Sequence, residues 1–127
     1  MMSHRIERTA LFHKQFKKVQ KDPRWRPIFE GIAPLENNTL SAWDYVLVCF
    51  FERRPIPEYF YPHELKISNK LKQQIKKRLG IHQNMTIKIL ELHFDGHNGD
   101  HLLVYHDTPA ITTMIAIGTH HTIFDQL

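Results

Sequence analysis

Apolar residues recur three and four positions apart through the first two-thirds of this chain. They then give way to runs of β-branched residues, so the pattern predicts helices first and strands after. Residues 9–12 read as a short opening strand. Residues 14–21 read as a basic helix with Phe16 and Val19 turned inward. Asp22-Pro23 stops that helix and starts the next, with Asp as cap and Pro in the first helical position. Trp25, Ile28, Phe29 and Ile32 then share one helical face until Ala33-Pro34. Further on, Trp43, Val46, Leu47, Phe50 and Phe51 also fall on a helical face, although residues 45–51 are rich in β-formers. The cap offered by Ser41 and the length of the run decide for helix. Arg53-Arg54-Pro55-Ile56-Pro57 ends it, and a loop carrying Tyr59, Phe60, Tyr61 and His63 follows.

Ser68 caps a further helix that Gly80 closes. Leu71, Ile75 and Leu79 line one side of it, and Lys70, Lys72, Lys76, Lys77 and Arg78 occupy the rest. Three strands are then expected over residues 86–93, 100–106 and 111–117, with Gly96, Gly99 and Pro109 in the connections. Helices followed by a meander of strands predict an α+β fold, one sheet with helices on a single face.

At 127 residues the chain fits one domain, 1–127, able to bury a core without disulfides. Its one cysteine, Cys49, lies in the apolar run Val46-Leu47-Val48-Cys49-Phe50-Phe51, which suits packing better than nucleophilic chemistry. A disulfide framework is excluded, the start of the chain is too polar for a secretory signal, and no apolar run is long enough for a bilayer. The expectation is therefore a cytoplasmic protein. A net charge of +4 and a pI of about 9.3 point to an anionic partner, nucleic acid or acidic protein.

The chemistry gathers at the ends of the expected strands. The first ends Glu91-Leu92-His93, the second opens Asp100-His101, and the third runs into Gly118-Thr119-His120-His121. Imidazoles titrate near neutral pH, so this arrangement suggests proton transfer or metal binding. His93, His97 and His101, spaced by four with Asp95 and Asp100 among them, offer donors for zinc or manganese. Four-residue spacing aligns ligands only on a helix, however, and the glycines here argue for a turn. His4, His13, His82 and His106 read as surface residues, and the basic helix after Ser68 as a solvated face.

Taken in order, these residues resemble the YafQ-like branch of the RelE superfamily of bacterial toxins. Pro55-Ile56-Pro57 followed by His63-Glu64-Leu65 is similar to that family's Pro-x-Pro loop and histidine triplet. Glu91-x-His93 resembles its acidic-x-His strand end, and Asp100 the Asp that opens the next strand. Leu102-Leu103-Val104-Tyr105 is similar to the strand itself, and Gly118-Thr119-His120 with Phe124 to the family's final motif. The sequence departs from the pattern at His101, where an aromatic residue is usual, and at Ala116, where a basic one is common. The helix from Ser68 stands as an insertion.

The resemblance implies a RelE-like, antiparallel-rich sheet with N-terminal helices on one face and the basic helix inserted. It implies an endoribonuclease that cuts mRNA on the ribosome, with no metal or other cofactor. The implied partners are a cognate antitoxin and, through the antitoxin complex only, operator DNA; no membrane is involved. His63, His93, Asp100 and His120 would be catalytic, and Phe124 would stack on a base. Lys88, His97, His101 and His121 are the candidates to supply the cation missing at Ala116. Two other readings stand beside this one: a catalytically weak RelE-fold binder acting through its antitoxin, and a metal-dependent nuclease using the clustered histidines.

Overall fold

A computed structural model describes residues 4–127; the polar start of the chain falls partly outside them, at residues 1–3. Strand β1, Arg5–Arg8, leads straight into helix α1, Ala10–Lys21. The opening strand thus lies upstream of the expected residues 9–12. Thr9 decides this: its Oγ1 accepts from the Phe12 N–H at 3.0 Å and donates to the Ile115 carbonyl at 2.7 Å, so it caps the helix and ties it to the sheet. Asp22 caps a short 3₁₀ turn, Pro23–Trp25, and α2 follows over Arg26–Glu30. The Ser41 side chain caps α3, Ala42–Glu52, and Ser68 caps α4, Asn69–Leu79, which Gly80 closes at φ +68°.

Strands β2 (His63–Glu64), β3 (Leu90–His93), β4 (Leu102–Asp107) and β5 (Ile111–Gly118) complete one five-stranded sheet in the order β1-β5-β4-β3-β2. Among the described residues, only the β1–β5 pair is parallel. Residues 86–89, expected as part of β3, lie outside its ladder, although the Ile89 carbonyl still accepts from the Leu65 N–H at 2.8 Å.

The two faces are packed differently. Leu92, Leu103, Tyr105, Met114 and Ile117 meet α1, α2 and α3 through Phe12, Val19, Trp25, Ile28, Val46 and Phe50. This is the expected N-terminal layer. The opposite face carries Leu102, Val104, Ile115 and Ala116 under Ile75 of α4 and Ile123 of α5, His120–Gln126. Helices therefore cover both faces, since the alternation along β4 leaves Leu102 and Val104 as apolar as their neighbours and both sets need cover. Helix α5 was not anticipated in the sequence. The Thr119–Thr122 capping box makes it, and Gly118 permits it, because a Cβ there would sit 2.5 Å from Thr122 Oγ1.

Buried Gln15 of α1 joins the layers. It accepts from the Ile117 N–H at 2.9 Å and donates to Gln126 Oε1 of α5 at 2.8 Å. Two residues assigned to apolar helical faces are in fact exposed, Ile32 at 67% and Phe51 at 61%; each lies at or just beyond the end of its helix. Cys49 is buried, and burial pushes its thiol pKa up. Among the described residues, no helix is long and apolar enough to cross a membrane.

Candidate active site

Antiparallel register brings the chemistry together. His63 of β2 pairs with Glu91 of β3, His93 with Leu102 of β4, and Leu102 in turn with Gly118 of β5. Glu91 and His93 are two apart on one strand, so both side chains project from the face that α4 and α5 cover. From Gly118 the chain turns through Thr119, and His120 becomes the first residue of α5. Three imidazoles from three elements thus approach one carboxylate. Oε1 of Glu91 lies 3.2 Å from Nε2 of His93, 3.3 Å from Nε2 of His63 and 3.8 Å from Nε2 of His120.

The far side of each ring is fixed. Nδ1 of His63 donates to the Tyr61 carbonyl at 2.7 Å, Nδ1 of His93 to the Gly99 carbonyl at 3.0 Å, and Nδ1 of His120 to Asp100 Oδ1 at 2.7 Å. These oxygens can only accept, so in each neutral ring the proton sits on Nδ1 and a lone pair on Nε2. Every one of those lone pairs is directed at the site. Glu91 is 2% exposed and its Oε2 has no hydrogen-bond partner, whereas His120 and Asp100 have side chains 52% and 57% exposed. The site therefore has a buried anionic floor and an open rim.

Burial pushes the Asp100 carboxyl pKa up, but hydrogen bonds from the His120 backbone and ring, with the charges of His120 and His101, outweigh it and hold the group below its ordinary value. Phe124, one turn along α5, stacks near-parallel to His120 with centroids 6.1 Å apart. Tyr61 packs against His63 at 4.3 Å and edge-on to His93 at 5.4 Å, closing the other flank.

No protein-family model matches this sequence, and no curated protein matches it. Solved structures do match. YafQ in the Escherichia coli DinJ–YafQ toxin–antitoxin complex superposes with a TM-score of 0.59 at 16% identity, over 97% of this chain and 99% of that one. A metal-bound toxin from Helicobacter pylori gives 0.56 at 17%, over 94% and 97%. The YoeB dimer from Staphylococcus aureus gives 0.53 at 13%, over 93% and 98%. This chain has the RelE toxin fold.

Within that RelE fold, His63, His93, Asp100, His120 and Phe124 occupy one neighbourhood. The four cation candidates do not join them equally. His97 is exposed at the rim with its ring over Tyr61 at 4.0 Å. His101 must be corrected: its Nδ1 is 2.6 Å from Asp95, its Nε2 3.1 Å from the Arg24 carbonyl, and its ring packs edge-on to Trp25, on the face opposite the site. His121 must be corrected too, since it points to solvent and pairs with Asp125 at 3.4 Å. Lys88 is exposed between buried Ile87 and Ile89, in the stretch that precedes β3.

The spaced set His93, His97, His101 is likewise not brought together as a ligand group, because the intervening turn scatters it. The residue missing from the sequence assignment is Glu91. Its signal was available: a carboxylate in phase with apolar Ile87 and Ile89 has to be buried with partners. Ala116 is fully buried beside Val104, itself opposite Glu91.

Proposed function

We propose that this chain is the toxin of a type II toxin–antitoxin pair, a ribosome-dependent endoribonuclease that cleaves mRNA by general acid–base catalysis. The observation that carries the reading is the convergence of three imidazole Nε2 atoms on one buried carboxylate, with Asp100 steadying the outermost ring. RNA cleavage through the 2′-hydroxyl requires a base for that proton, an acid for the departing 5′-oxygen, and positive charge beside the phosphate. His93 and His120, with ring centroids 5.8 Å apart, serve as the proton-carrying pair. Glu91 stabilises the imidazolium that forms on proton uptake, His63 contributes charge toward the phosphate, and Phe124 offers a stacking face to a base. Histidines supply the positive charge that a side chain at Ala116 does not.

The fold match to YafQ in complex with DinJ supports an antitoxin as the protein partner here too. Metal enters the reading through the H. pylori toxin of this fold, which is metal-bound; here the donors able to hold an ion are those of the proposed catalytic site itself.

Induced expression tests the proposal. Growth arrest with mRNA ends bearing 2′,3′-cyclic phosphates is expected, and His120→Ala is expected to abolish both, through a loss of about 10²- to 10⁴-fold in rate. Arrest undiminished in His120→Ala, or no RNA cleavage on ribosomes by the wild-type protein, would sink it and leave a binding role.

A further inference from the structure

The geometry points to a zinc-class divalent cation bound at His63, Glu91 and His93 that holds the enzyme inactive until it is removed. This rests on the nuclease reading above and adds its regulation.

The contacts at Glu91 Oε1 pose a problem that proton counting exposes. With each Nδ1 proton committed to an oxygen acceptor, a neutral ring would present its Nε2 lone pair to a carboxylate oxygen that itself only accepts. Acceptor facing acceptor at 3.2 and 3.3 Å needs something positive between, either a proton or a metal ion. A metal suits the spacing. Two bonds of about 2.0–2.1 Å meeting at a tetrahedral angle put their donor atoms roughly 3.3 Å apart. The donor atoms of His63, Glu91 and His93 all lie within 4.8 Å of one another. Nε2 of His120 lies 3.8 Å from the same oxygen but outside this three-donor set, which leaves the fourth position to solvent.

The surroundings match a built metal site in two further ways. Each imidazole gives its other N–H to a backbone carbonyl or carboxylate, which is how metal-bound histidines are held in orientation. Oε2 of Glu91, fully buried, has no partner and is free to complete a second contact to an ion. Imidazole with carboxylate selects late first-row divalent ions, with zinc the most available, over magnesium or calcium.

An ion there occupies the lone pairs that proton transfer requires. Base and acid cannot exchange protons through a nitrogen bonded to metal, so the metal-bound and catalytic states exclude each other at the same atoms.

The full-length protein, stripped with a chelator and dialysed, is titrated with zinc alone in competition with a chromogenic zinc indicator. Magnesium serves as the control ion, and His13→Ala, a change at an exposed histidine far from the site, as the control variant. One zinc per chain is expected, with affinity reduced at least tenfold by His63→Ala and by Glu91→Gln, and unchanged by His13→Ala. His63 is part-exposed on a two-residue strand, so its removal keeps the fold, and a melting curve checks this. In the ribosome cleavage assay, stoichiometric zinc should abolish cutting and chelator should restore it.

Zinc uptake no tighter in wild type than in His63→Ala overturns the site. Zinc that binds and leaves cleavage unchanged, or raises it, overturns the lock. A protein that takes up one zinc yet never cuts RNA overturns the nuclease reading and the lock together, and leaves the ion site standing.

Discussion

Changing Asp100 to asparagine removes one charge while keeping an oxygen where Oδ1 now accepts from the His120 backbone N–H at 2.9 Å and from its Nδ1 at 2.7 Å. Hydrogen bonds to a charged group contribute roughly 1.5–3 kcal/mol and neutral ones roughly 0.5–1.5 kcal/mol. Both side chains are more than half exposed, so the low ends of those ranges apply. Asp100→Asn should then weaken the support of His120 by about 1 kcal/mol, a fall of roughly fivefold in kcat. Asp100→Ala removes both contacts, and loss of the ring contact at Nδ1 should cost about 1.5 kcal/mol, or roughly 12-fold. Both effects should appear in kcat with little change in KM, because the ring is steadied for proton transfer and not for binding.

The assay is single-turnover cleavage of a short message on purified ribosomes, with His120→Ala as the floor. The ordering wild type, Asn, Ala, then His120→Ala is what an orienting role demands. A carboxylate held ionised by its hydrogen bonds is poorly suited to carry the proton itself. If Asp100→Asn fell as low as His120→Ala, Asp100 would be a proton carrier and the orienting argument would be wrong.

Gly118→Ala would place a methyl 2.5 Å from Thr122 Oγ1 and break the capping box that starts α5. It should lower stability by about 1–2 kcal/mol and displace His120; an unchanged melting temperature and cleavage rate would count against it. Burial lowers the pKa of His106, with partial relief from the Asp107 carboxylate. The unfolded chain therefore takes up that proton first as pH falls through the ordinary imidazole range, so stability declines there and levels off below the folded value. His106→Gln should flatten that decline, measured as the shift of the urea midpoint between about pH 7 and about pH 5; a shift as steep as wild type would refute the assignment.

Local signals marked most of the elements because each acts within one turn of chain. Ser41, Ser68 and Asp22 are bonded to backbone N–H groups two or three residues on, so their capping roles are written in adjacent residues. His63, His93, Asp100 and His120 were singled out by the resemblance of the ordered motifs around them to a known family, since each motif is a short local stretch. Other features depended on residues distant in the chain. The β1–β5 pairing joins residues more than a hundred positions apart, and it moved the first strand upstream of its expected place. His101 looked equivalent to its neighbours until packing turned it onto Trp25.

The amino-acid order alone determined the helix caps, the two hydrophobic periods and the inventory of titratable groups. Tertiary pairing decided which of those groups share a face. Glu91 became the centre of the cluster because antiparallel register set β2 beside β3 and carried β5 around to α5. Strand register is a long-range property, fixed by which apolar faces are buried together, and no window of neighbouring residues contains it.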